Sequence, residues 1–265
     1  MISDLPFGYI LFAAFVFGLI IGSFLNVCIH RLPLSQSISA PRSRCPHCMA
    51  TISWYDNIPL VSYVILRGRC RSCKAWISLR YPLVELLSGI FAVATVLRFG
   101  LTASGLGCYM LVCALIVVTF IDLDYQIIPD VITLPGVLAG FGFSFVMVDV
   151  SWKASLLGIL AGGGSLLAVA WGYQFLTGKD GMGGGDIKLM AMLGAFLGPL
   201  GILFTLMAGA LTGSVIGVAL MIFRKEDGKM AVPFGPFLAI GAILYIFFGP
   251  PLVYWYLGLF SPPGA

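Results

Sequence analysis

Apolar residues along this chain do not alternate with polar ones; they run on. The stretches 7–29, 82–99, 105–121, 131–149, 153–176, 187–203, 204–223 and 232–258 are dominated by apolar residues and carry few charges. Runs near this length are long enough to cross the hydrocarbon core of a bilayer as helices. Strands of a membrane barrel would show a period of two, which is absent here. The pattern predicts an all-α polytopic membrane protein with about eight transmembrane helices. The stretch 187–223 is too long for one crossing, and "GPLG" at 198–201 offers the turn chemistry to divide it. The first run is read as a retained span and not as a signal peptide. Asp4 is the only charge before it, no basic segment precedes it, and no clear small-residue cleavage site ends it.

One polar connection stands apart from the short ones. Residues 30–81 are basic, rich in turn residues and bear cysteines. The organisation expected is a first transmembrane helix over 1–29, a polar region over 30–81, and a membrane domain of about seven helices over 82–265.

Composition sharpens this reading. The chain is 60% hydrophobic and only 10% charged, where a soluble domain has about a quarter charged residues. The net charge of +4 is small, so its placement is what informs. With eight spans, thirteen of the fifteen Lys and Arg residues fall on one face of the membrane. Only Arg98 and Lys153 fall on the other. The crowded face is the cytoplasmic one, which puts both chain ends on the opposite side. The partner expected for such a chain is the lipid bilayer, and no nucleic acid.

The polar region carries two C-x-x-C pairs, "CPHC" at 45–48 and "CRSC" at 70–73. Each pair can present two sulfurs from one tight turn. Together Cys45, Cys48, Cys70 and Cys73 can complete a tetrahedral four-sulfur zinc site. Two disulfides are the other reading, but thiols stay reduced on the cytoplasmic face. His47 lies between two of the cysteines as a neighbour of the metal, not a fifth ligand. Four cysteine ligands leave no open position for water, so this zinc is structural. Cys28, Cys108 and Cys113 fall within apolar runs and read as small buried residues.

The acidic residues form a second constellation. "FIDLDYQIIPD" contains Asp122, Asp124 and Asp130, and "GMGGGDIKL" contains Asp186. Ionisable groups at membrane spans are costly and mark function. Counting spans brings Asp122, at the end of the third, and Asp186, at the start of the sixth, to the same membrane boundary. Two carboxylates that meet there can share a proton and act as an aspartic-protease dyad. Interfacial charge alone is the plainer reading, and it suits Asp124 and Asp130 best. Asp130 also has the position of an N-cap for the fourth span. A proton or ion pathway is a third reading, against which stands the placement of the acids at a boundary and not at mid-depth. The glycines before Asp186 would permit close backbone approach and unusual backbone angles.

The ordered set "GSFLNVCIHRLP" (22–33), the paired C-x-x-C, "DLDYQIIPD" (122–130), "GMGGGDIKL" (181–189) and "PFGP" (233–236) resembles the type IV prepilin peptidases. The resemblance runs in order from about residue 12 to 248. It implies a bacterial inner-membrane enzyme that removes the basic leader from prepilins and type II secretion pseudopilins at the cytoplasmic boundary. It further implies N-methylation of the new N-terminal residue from S-adenosylmethionine. The family's catalytic aspartates match Asp122 and Asp186, and its four cysteines match Cys45, Cys48, Cys70 and Cys73. Gly183 and Gly185 are the glycines of its G-x-G-D motif and, with Asp124 and Asp130, are candidates for substrate contact or hinge motion. No glycine-rich dinucleotide fingerprint is present. "GLIIG" at 18–22 signals helix packing at least as well as any methyl-donor role. Asn26, Arg31, Asn57 and Glu85, near the cytoplasmic ends of spans, are the candidates for the methyl-donor region.

Overall fold

The computed structural model describes residues 6–178, 183–224 and 233–258. Asp4, Lys179, Gly181, Met182, Lys225, Lys229 and the two chain ends, which carry part of the charge and glycine readings, lie outside them. The described residues are helical apart from turns and two isolated β-bridges. The chain divides into two packing units, Met1–Ile121 and Asp122–Ala265.

The first unit contains α1 (Phe7–Arg31), α2 (Val61–Ile65), α3 (Arg80–Phe99) and most of α4 (Ala103–Tyr125), with a 3-10 turn at Trp54–Asn57. Gly18 and Gly22 lie one turn apart and therefore on one face of α1. A Cβ added at Gly18 would lie 2.7 Å from Gly89 Cα, and one at Gly22 would lie 2.6 Å from Glu85 Cα. "GLIIG" is thus a helix-contact motif that lets α1 and α3 approach backbone to backbone. Close approach matters because lipid supplies no hydrophobic drive between helices. α4 joins through Tyr109, whose hydroxyl lies 2.8 Å from Ser88 Oγ and whose ring lies 6.3 Å from that of Phe17.

The second unit contains the last turn of α4, α5 (Asp130–Phe143), α6 (Trp152–Thr177), α7 (Gly184–Arg224) and α8 (Gly235–Gly258). The Ser151 hydroxyl caps α6 by accepting the Ala154 N–H, and Gly178 ends it at φ 69°. α6 and α7 meet at Gly158 and Gly194, where a Cβ on either would run into the other's carbonyl. Ser155 Oγ adds a bond across the same contact, to Ala195 O at 2.7 Å. α5 packs on α7 through Gly140, whose added Cβ would lie 2.7 Å from Ala195 Cβ. α8 packs on α7 through Gly241, whose added Cβ would lie 2.7 Å from Thr205 O.

The expected division of 187–223 occurs at Gly198, the first residue of "GPLG". There the backbone takes φ 68° and ψ −178°, and Pro199 follows. Proline lacks the N–H that would continue the ladder, and glycine alone takes this left-handed φ without strain. The break therefore precedes the expected boundary at 203/204. α5 is also shorter than the apolar run 131–149. Its 14 residues end at Phe143 and reach about 21 Å at 1.5 Å per residue, less than a hydrocarbon core of about 30 Å. Among the described residues, α1, α3, α4, α6 and α7 are long and apolar enough to cross a membrane, while α5 and the segment Gly235–Gly249 of α8 are shorter apolar helices.

Gly22→Ala should lower the stability of the detergent-solubilised protein by about 1–3 kcal/mol through overpacking. Gly172→Ala, where an added Cβ meets nothing within 4 Å, should not. Thermal unfolding of the two variants checks this, and equal effects would remove the glycines from the α1–α3 contact.

Candidate active site and metal centre

Asp122 lies in the last turn of α4 and is 5% exposed. The Gln126 N–H bonds its carbonyl at 2.9 Å, and Gln126 turns the chain at φ 53°. Residues 126–129 then lead to Pro129, which starts α5. A carboxylate buried here needs a donor. The donor is the Gly235 N–H, 2.9 Å from Asp122 Oδ2. Gly235 is the first residue of α8, so this N–H is one of those a helix start leaves unpaired. The carboxylate also sits at the positive end of the helix dipole. A Cβ at Gly235 would lie 2.6 Å from the same oxygen, so only glycine admits this contact unchanged.

Asp186 is half-buried in the first turn of α7, and its N–H reaches Gly183 O at 3.2 Å. Its carboxylate is close enough to that of Asp122 for direct electrostatic interaction. The structure thus brings together the two acids that span counting put at one boundary. Gly183, Gly184 and Gly185 do not have left-handed backbone. Their difference is one of space. A Cβ at Gly185 would lie 2.8 Å from Ile128 Cβ, one at Gly183 would lie 3.7 Å from Asp186 Oδ2, and one at Gly184 would meet nothing. Ile128 also lies 3.4 Å from the Cβ position of Gly235. It is the wedge on which the starts of α7 and α8 both rest.

The other two acids separate. Asp124, two residues on from Asp122, is exposed on another face of α4. Asp130 is bound by Lys188 Nζ at 2.6 and 2.8 Å. Pro129 takes the N-cap position of α5, with no side-chain cap bond, so Asp130 links α5 to α7 instead of capping α5. The pair is 40% and 53% exposed, and a pair so exposed contributes at most about 1 kcal/mol. Gly235, Ile128 and Lys188 are the site residues that spacing alone did not single out. The signal for Gly235 was "PFGP" at the head of the last apolar run.

The four cysteines form a cluster in which all sulfurs lie within 4.8 Å of one another, with Cys45 Sγ 3.8 Å from Cys73 Sγ. A zinc tetrahedron with bonds of about 2.3 Å has edges of about 3.8 Å, so the donor set fits that ion. The cluster comes from a repeated turn. "RCPHCMA" at 44–50 and "RCRSCKA" at 69–75 share one backbone path. The Cys45 N–H bonds Ala50 O at 3.0 Å, and the Cys70 N–H bonds Ala75 O at 2.9 Å. Met49 and Lys74 both take positive φ, at 57° and 61°, and bridges join Arg44 to Thr51 and Arg69 to Trp76. His47 is exposed and outside the cluster. The backbone N–H groups of Cys73 and Ser72 hold the Cys70 thiol down to about 7. Arg71 clamps Asp56 with contacts of 2.6 to 3.1 Å, and this bonding holds the Asp56 carboxyl below its usual range.

Of the four residues considered for a methyl donor, three are engaged with backbone. Asn26 Nδ2 donates to Tyr81 O at 3.0 Å. Arg31 donates to Ser37 O at 2.9 Å and Pro41 O at 2.7 Å. Glu85, 9% exposed, accepts the Leu60 N–H at 2.9 Å, at a residue with φ 58°. Asn57 is exposed at the end of the 3-10 turn. The first three fix the polar region onto α1 and α3 and do not form an open polar cradle.

Comparison with known proteins bears on both halves of the chain. Residues 16–99 match the model of the bacterial peptidase A24 N-terminal domain, and residues 109–218 match that of the type IV leader peptidase family. A prepilin leader peptidase/N-methyltransferase of Aeromonas hydrophila is 39% identical over 267 residues, covering 92% of each chain. One of Stutzerimonas stutzeri is 36% identical and covers 95% of each. One of Myxococcus xanthus is 44% identical over 85% of this chain and 68% of its own. No solved structure matches.

In metal-free protein that keeps the turn at 69–75, Cys70 should alkylate with a rate that rises through about pH 7, because the thiolate is the nucleophile and forms above the thiol's pKa. An ordinary exposed cysteine shows this rise near pH 8.5. Mass-spectrometric mapping of iodoacetamide labelling against pH measures it.

Proposed function

The chain belongs to the type IV leader peptidase family, and from that membership we propose that it cleaves the basic leader from prepilins and type II secretion pseudopilins and N-methylates the new N-terminus. The observation that carries the cleavage reading is that the ends bearing Asp122 and Asp186 converge on Ile128, which Gly185, beside Asp186, and Gly235, the partner of Asp122, both face. Two carboxyls brought within reach of one water share one proton. The ionised one takes a proton from a water held between them, and the resulting hydroxide attacks the scissile carbonyl. The protonated one donates to the carbonyl oxygen as it becomes tetrahedral. Collapse then breaks the C–N bond: the carboxyl that took the water proton gives it to the leaving amine, and the proton on the former carbonyl oxygen returns to the other carboxylate. The Gly235 amide holds Asp122 in one orientation, so one oxygen is fixed and the other serves the water.

We place the dyad on the cytoplasmic face of a bacterial inner membrane, with both chain ends on the other side. The two halves of α7 then count as separate crossings, for a total of eight. Asp124 and Asp130 flank the path of the leader, where Asp130 holds the Lys188 ammonium so that it does not oppose a basic peptide. Gly183 and Gly185 let the backbone of an extended substrate pass close to Asp186 and let its loop adjust.

Zinc, bound by Cys45, Cys48, Cys70 and Cys73, would fold a polar region too small for a core of its own. Its four sulfurs saturate the ion, so it holds structure and takes no part in cleavage. The methyl group would come from S-adenosylmethionine, near the region framed by Asn26, Arg31, Asn57 and Glu85.

With a purified prepilin substrate, Asp122→Asn and Asp186→Asn should each reduce cleavage by at least about a hundredfold while the protein still inserts. Full activity in either variant would displace the dyad. Gly184→Ala should cleave normally, and Gly235→Ala should not. Purified reduced protein should contain about one zinc per chain, lost in Cys45→Ser or Cys70→Ser. Metal analysis that finds none would remove the site.

A further inference from the structure

The polar region carries a cavity of about 490 Å³ beside the second cysteine turn. Its walls include Arg67, Arg69 and Lys74, with Ile65 and Trp76 as apolar surface. No lining residue is acidic. The Arg69 guanidinium lies 4.5 Å over the Trp76 ring, which holds it flat against one wall. The rim continues in exposed apolar side chains. Val64, Ile65, Trp76 and Leu79 are each 70–73% exposed. α2 therefore turns two adjacent large apolar residues outward, beside three cations.

That combination decides the ligand's class. With zinc bound, the four-thiolate cluster carries two negative charges and reaches this wall at Cys70, so Arg67, Arg69 and Lys74 together leave a net positive charge, which attracts an anion and repels a cation. S-adenosylmethionine, with a sulfonium and an ammonium against one carboxylate, is repelled, and so is a basic leader. A free phosphate would satisfy the cations but leave the apolar rim in water. A lipid with an anionic headgroup satisfies both, because basic residues and Trp beside exposed apolar side chains are the pattern of a membrane interface. The chain also tethers the cavity there. Trp76 is four residues from Arg80, where the membrane helix α3 begins. Four extended residues reach at most about 14 Å, so the cavity stays within reach of the headgroup layer.

We propose that the cavity lined by Arg67, Arg69, Lys74 and Trp76 binds the phosphate headgroup of an anionic phospholipid, with Ile65, Val64 and Leu79 seated in the membrane interface around it. The polar region then rests on the bilayer by a specific contact. Such a site favours phosphatidylglycerol over phosphatidylcholine, and added salt weakens it.

The test uses the full chain in detergent micelles with brominated phosphatidylglycerol, which quenches tryptophan emission on contact. Brominated phosphatidylglycerol should add a saturable component to the quenching that brominated phosphatidylcholine gives through the other tryptophans, and that component should be lost in Trp76→Phe. Arg67→Gln and Lys74→Gln should each weaken phosphatidylglycerol binding about fivefold, and the double variant about twenty-five-fold. Retained cysteine protection from alkylation in these variants shows that the fold is kept. Arg69→Lys, which keeps the charge and loses the flat stack on Trp76, should bind more weakly than wild type. Equal quenching by the two lipids, or phosphatidylglycerol binding unchanged in the double variant, overturns the proposal. So does displacement of the lipid by millimolar inorganic phosphate or by an acidic peptide, either of which would make the free anion or a protein segment the occupant.

Discussion

A carboxylate buried at the end of a membrane helix must find a donor, and here the donor is the backbone of another helix. The Gly235 N–H reaches Asp122 Oδ2 at 2.9 Å, which fixes the start of α8 against the end of α4. The bond closes only because Gly235 has no Cβ and because Ile128 fills the space beneath it. The same isoleucine stops the start of α7 at Gly185. Three element ends meet around one side chain, and Asp186 arrives beside Asp122 as a consequence. The proposed dyad is therefore held by backbone and packing and not by the charges of its two members, which repel when both are ionised.

The helices reach this arrangement by close contact of small residues. In lipid, apolar side chains gain little by leaving their surroundings, so backbone approach and hydrogen bonds between helices carry the packing. Gly18 and Gly22 do this for α1 against α3, and Gly158 and Gly194 for α6 against α7. The kink at Gly198 divides the work of α7. Its first half meets α5 and α6 through Met192, Gly194, Ala195 and Phe196. Its second half meets α8 through Thr205 and Gly209. A straight helix of 41 residues would extend about 60 Å and could not keep both sets of neighbours within one membrane-sized unit.

Much of this was legible in the chain because lipid imposes simple rules on sequence. The apolar runs gave the long helices, and the spacing of Cys45, Cys48, Cys70 and Cys73 gave the sulfur cluster. Span counting placed Asp122 and Asp186 at one boundary before any contact was known. What pattern could not give is what depends on a partner distant in sequence. The Asp122–Gly235 bond joins residues 113 positions apart. Asp130 looked like a helix cap because caps are local, yet Lys188, 58 positions away, takes it. Glu85 was a candidate for the methyl-donor region, yet it accepts the N–H of Leu60. The G-x-G-D motif already separated Gly185 from Gly184, and their neighbours supply a physical reason: Ile128 lies against one and open space against the other.

The ion pair of Asp130 with Lys188 has a consequence for the electrostatics of the proposed site. Lys188 lies two residues after Asp186, and an ammonium left unpaired so close would oppose the approach of a basic leader. Asp130 holds that ammonium through both of its oxygens, at the first turns of α5 and α7. The pair contributes little to stability because both partners are exposed. Its value is in the field it removes: with Lys188 neutralised locally, Asp122 and Asp186 set the sign of the potential beside them. The basic residues of the polar region 30–81 have a different use, with Asp56 clamped by Arg71 and the cavity cations free of any acidic wall. On the two proposals, one chain uses negative charge at its helix ends for a cationic peptide and positive charge in its cysteine-bearing region for an anionic surface, and the separation of the two signs along the sequence is what would allow both.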